Sequence, residues 1–127
     1  MNQLIGIETK RYSTFMKLVL EEFCENVSIQ IGTGVTKSKI KTYEDKDIPW
    51  LLQNWCTNKK LKSTAFFSLK QNGEELFGFF DHPDNMWSDI STLPFIEKAA
   101  SNKVIYFNVV DRSEEKSWFS KLMNKII

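Results

Sequence analysis

"TAFFSLKQNGEELFGFF", residues 64–80, is the stretch on which the fold turns. Asn72-Gly73 is the dipeptide that a two-residue type I′ turn asks for, since both central residues need positive φ. Apolar runs lie on either side, so the stretch reads as a β-hairpin. Regular pairing about that turn sets Lys70 against Glu75, Leu69 against Leu76, Phe67 against Gly78 and Phe66 against Phe79. One face then carries Ala65, Phe67, Leu69, Leu76 and Phe80 as core. The other carries Phe66, Phe77 and Phe79 beside Ser68 and the Lys70–Glu75 pair. That second face is too apolar for bare solvent, which predicts a covering helix or a partner.

Upstream of the hairpin, Tyr12, Phe15, Met16, Val19, Leu20, Phe23 and Cys24 fall on one helical stripe, predicting a helix over 9–25. "VSIQI" (27–31) alternates as a half-buried strand and ends at Gly32-Thr33-Gly34. "TKSKIKTY" (36–43) places Lys37, Lys39 and Lys41 on one face, the pattern of a charged edge strand. A helix follows at about 47–58, with Asp47 as cap, Pro49 in its first turn and Leu51, Leu52, Trp55 and Cys56 inward. Downstream, the pattern predicts a helix over 86–100 broken near Pro94, and a central strand at 103–110 that is apolar on both faces. Ser113, Glu114 and Glu115 open a last helix with Trp118, Phe119, Leu122, Met123 and Ile126 as its stripe. The predicted order is α-β-β-α-β-β-α-β-α. That is an α+β (α/β-type) domain with a single mixed or antiparallel sheet of about 4–5 strands and helices packed on it.

At 127 residues, 42% hydrophobic and 26% charged, the chain is expected to be a single globular domain spanning 1–127. Ten Phe, four Trp and three Tyr supply a core without disulfides or metal. Cys24 and Cys56 sit in apolar helical patterns and read as reduced, buried thiols. Leu4–Ile7 is a four-residue apolar run with no basic segment before it, too short for a signal peptide or a membrane span. These features predict a cytoplasmic protein.

Net charge is only +1, but its distribution is uneven. From Gln71 to Glu97 there are six acids and no Lys or Arg, whereas Lys37 to Lys62 holds seven lysines against Glu44, Asp45 and Asp47. The chain's one histidine, His82, stands between Asp81 and Asp84. Three ligands of that kind are short of a closed zinc site, which takes four, mostly Cys and His. His82 oriented by Asp81 or Asp84 has the makings of a general base, yet no nucleophile motif accompanies it. "GTG" at 32–34 has Lys37 where a dinucleotide fingerprint needs glycine. Asp81, Pro83, Asp84 and Asn85 are first of all turn formers.

Aromatic anchors among acids of one sign suit a surface that docks a basic protein. The expectation is a small protein-binding inhibitor of the immunity-protein or antitoxin type, its partner a basic protein such as a toxin. This is an analogy of class. Glu74, Glu75, Asp81, Asp84 and Asp89 form the electrostatic patch, and Phe80, His82 and Trp87 its packed centre. No cofactor, metal or membrane is called for, and nothing points to an oligomeric state. The alternative is a small hydrolase or transferase using His82 with Asp81 or Asp84. A third reading, nucleic-acid binding through the Lys37–Lys62 segment, ranks below both because arginine is nearly absent and no nucleic-acid motif accompanies the lysines.

Overall fold

Asn72 (φ 52°) and Gly73 (φ 84°) both take the left-handed conformation, and the two flanking runs pair antiparallel as β4 (Thr64–Gln71) and β5 (Glu74–Phe80). The computed structural model describes residues 3–33, 40–55, 57–80 and 86–110. The helix expected from Ser113 onward, Cys56, Lys37, Lys39 and Asp81–Asn85 lie outside the described residues.

The hairpin register departs from regular pairing. Gln71 faces Glu74 and Lys70 faces Glu75, but Leu69 then faces Phe77, Ser68 faces Gly78, Phe67 faces Phe79 and Phe66 faces Phe80. Leu76 is one extra residue in β5, a β-bulge. Because strand side chains alternate with period 2, one inserted residue moves everything beyond it to the opposite face. Phe77 and Phe79 therefore join Phe67 and Leu69 in the core, and Phe80 joins Phe66 on the far side. The expected assignment of Phe77, Phe79 and Phe80 is thereby inverted.

The chain begins in a strand, β1 (Leu4–Thr9), then α1 (Tyr12–Glu22), β2 (Val27–Thr33) and β3 (Ile40–Glu44). Next come α2 (Ile48–Asn54) and the single turn α3 (Lys59–Lys62), before β4 and β5. β6 (Met86–Asp89), α4 (Leu93–Ser101) and β7 (Ile105–Val110) follow. Among the described residues all pairings are antiparallel, in the order β3-β2-β4-β5-β6-β1-β7. The sheet thus has seven strands among the described residues, not four or five, and the element order differs from the expected one, within a mixed α+β class.

Three of the differences have local causes. Leu4–Ile7 is a strand held between β6 and β7, so α1 starts at Tyr12 and not at residue 9. The expected helix over 86–100 splits. Met86 and Ser88 face the core while Trp87 and Asp89 do not, and Pro94 opens α4 in its first turn instead of breaking a helix. β7 lies at the end of the sheet, with Tyr106 and Val109 exposed, where a central strand was expected.

α1, α2 and α4 lie on one face. Phe77 meets Phe15, Phe23 and Phe95 at ring-centroid distances of 6.3, 5.1 and 6.1 Å. Phe79 meets Tyr12 edge-on at 5.9 Å and stacks on Phe67 at 5.9 Å, and Trp55 stands edge-on to Phe67. Ile5, Ile7, Ile29, Ile31, Leu51 and Ile96 complete that layer. Asp45 ties two turns together by accepting the backbone N–H groups of Asn26 (2.6 Å) and Val27 (2.7 Å). Asp47, expected to cap α2, instead accepts the N–H of Glu44 at 2.9 Å and closes a one-turn 3₁₀ helix ahead of it. The chain leaves α4 through Lys103 (φ 60°), two residues past its last turn: Val104 N–H donates to the Ala99 carbonyl and Lys103 N–H to that of Ala100. Among the described residues no helix is long and apolar enough to cross a membrane.

Candidate functional site

The sheet has a second face, opposite the helices, and strand register places its residues in rows. The middle row runs Thr42, Gln30, Ser68, Gly78, Trp87, Gly6, Asn108 across all seven strands. A neighbouring row runs Ile40, Gly32, Phe66, Phe80. Phe66, Phe80, Trp87 and Ile40 pack together as a small apolar cluster, separate from the main core. Phe66 and Phe80 meet edge-on at 6.3 Å. A Cβ on Gly32 would lie 3.1 Å from the Cβ of Phe66 and 3.2 Å from Cγ1 of Ile40, so a glycine there is what lets the three strands bring those side chains together. Trp87 has glycines as both cross-strand neighbours, Gly78 and Gly6, which leaves lateral room for its indole.

The charge on this face is one-sided. On the described strands it carries Glu8 (β1), Glu44 (β3), Glu75 (β5) and Asp89 (β6), against Lys70 (β4). That is four acids to one base, and the base stands directly opposite Glu75. Asp89 also caps the turn after β6, accepting the N–H of Ser91 at 3.1 Å.

The eight residues expected to form the site do not all fall together. Phe80 and Trp87 share the apolar cluster. Glu75 and Asp89 lie on the same face, nearer the hairpin tip. Glu74 is exposed at the tip itself. Five residues separate Glu75 from Phe80, roughly 17 Å along a strand, so tip acids and cluster occupy opposite ends of β5. Asp81, His82 and Asp84 lie outside the described residues, in the connection from β5 to β6. Phe66, Ile40, Glu8 and Glu44 belong to the face but were missed. The hairpin pattern already sets Phe66 opposite the core without marking it as part of a site, whereas Glu8 and Glu44 come from strands far away in the chain. Among the described residues no three His, Cys, Asp or Glu side chains are grouped to hold a metal ion. Cys24 is a half-buried free thiol, not the fully buried one expected.

No protein-family model, curated protein or solved structure matches the chain.

Proposed function

We propose that this chain is a small cytoplasmic binding protein of the immunity-protein or antitoxin type, which docks a basic protein on the sheet face opposite its helices. The observation that supports this is the composition of that face: Phe66, Phe80 and Trp87 clustered on it, with Glu8, Glu44, Glu75 and Asp89 against Lys70 on its strands. Acids of one sign speed the encounter with a cationic partner, and desolvated rings hold it. The paired substitution Glu75→Lys and Asp89→Lys reverses half of the acids on this face. Glu21→Lys changes an exposed acid of α1 in the other layer and serves as control. Capture of a basic protein from the native host at low salt, released by added salt, is expected for the wild type and for Glu21→Lys. It should be lost for the Glu75/Asp89 pair. Equal capture by all three proteins rules the face out.

A further inference from the structure

Leu4, Phe66 and Ser68 all belong to the face away from the helices, yet they are only 1%, 4% and 1% exposed. β4 is thus buried on both sides, and an antiparallel strand in that state has a covering layer on each. α1, α2 and α4 supply one layer; among the described residues no element supplies the other. The remaining positions are the ones to weigh as that cover. Residues 34–39 (GVTKSK) and 81–85 (DHPDN) are short and nearly devoid of large apolar side chains. Residues 111–127 are seventeen in number and carry Trp118, Phe119, Leu122, Met123 and Ile126 at helical spacing.

We infer that the occupant of this face is the chain's own C-terminal segment, residues 111–127. Charge matches as well as apolarity. Over 111–127 the segment holds Arg112, Lys116, Lys121 and Lys125 against Asp111, Glu114 and Glu115. All three acids fall in its first five positions, so from Lys116 onward it is purely basic, opposite strands that carry four acids and one lysine. Length matches too. A helix over 113–126 would be about 21 Å long, close to the roughly 19 Å that separates β1 from β2 across four strand spacings. Within that span β1, β6, β5 and β4 present Leu4, Trp87, Phe80, Phe66 and Ser68, and β2 adds Gln30 and Gly32. The segment leaves β7 beside β1, at the near end of that span. The inference rests on the acidic, aromatic character read for the docking surface, and it makes the segment the competitor that a basic partner displaces.

The test needs no partner. Full-length protein, as a dilute equal mixture of light and isotope-labelled copies, is treated with a zero-length carbodiimide, and the amide cross-links are mapped by mass spectrometry. The expected result is links within one chain from Lys116, Lys121 or Lys125 to Glu8, Glu44, Glu75 or Asp89. Links confined to Glu21, Glu22 or Glu97 of the helix layer, links only between light and heavy copies, or no links from these lysines would each overturn it. A charge swap gives a second readout. Glu75→Lys with Asp89→Lys lowers the melting temperature, and adding Lys121→Glu with Lys125→Glu restores at least half of the loss, whereas strictly additive losses contradict the contact. Failure here leaves the docking proposal to its own capture experiment, which reads the partner and not the segment.

Discussion

Phe77→Ala is the sharpest probe of the bulged hairpin. Phe77 is fully buried in β5 between the rings of Phe15, Phe23 and Phe95, all of which stand at steep angles to it. Truncating a buried Phe to Ala costs about 3–5 kcal/mol, from the lost transfer energy plus the cavity left behind. Three ring contacts from two different elements resist collapse of that cavity, which places Phe77 near about 4 kcal/mol. For a chain of this size that is a drop of roughly 12–20 °C in melting temperature. Phe80 is half-buried and has Phe66 as its neighbour, so Phe80→Ala should cost only about 1–2 kcal/mol. Urea or thermal unfolding of the two variants, followed by circular dichroism, compares them directly. Without the extra residue Leu76, Phe80 would be core and Phe77 would not. A Phe80→Ala loss equal to or larger than the Phe77→Ala loss refutes the register.

Lys103 holds a left-handed conformation at the end of α4, so Lys103→Gly relieves the Cβ strain and should stabilise by about 0.5–1 kcal/mol in denaturant titrations. Ser88 is fully buried between Ile5 and Phe77 with its hydroxyl unpartnered, and Ser88→Ala should be neutral to about 1 kcal/mol more stable. The backbone N–H of Val27, and after it that of Asn26, hold the Asp45 carboxyl below the ordinary carboxylate range. A depressed folded-state value means that this contribution is present above an unfolded pKa of about 4 and lost as pH falls through the folded value. Melting temperatures between pH 6 and 2 should therefore fall less steeply for Asp45→Asn than for the wild type; parallel curves would remove Asp45 from the acid response.

What could be read from the chain was local. Asn72-Gly73 has one economical conformation, and the turn is where the dipeptide says it is. The bulge at Leu76 was invisible because rings from α1 and α4, far away in the chain, decide which side Phe77 takes. Tyr12 to Leu20 showed helical periodicity over enough turns to stand out, whereas Leu4–Ile7 and Met86–Asp89 are too short for any period to declare itself. β1 in particular becomes a strand only because β6 and β7 are there to pair with it. The same limit applied to the site. Phe80 and Trp87 are seven residues apart and were grouped by proximity in the chain, but Glu8 and Glu44 reach their face through sheet order alone. Tip acids and cluster looked adjacent in the sequence because a linear reading does not register the length of a strand.

The most direct measurement of the central claim is an NMR titration of the captured basic protein into ¹⁵N-labelled full-length protein. The account predicts that the largest amide shifts fall on β4, β5 and β6 around Phe66, Phe80 and Trp87, and that they shrink with added salt. Shifts concentrated on α1 and α4, with those strands unmoved, would contradict it.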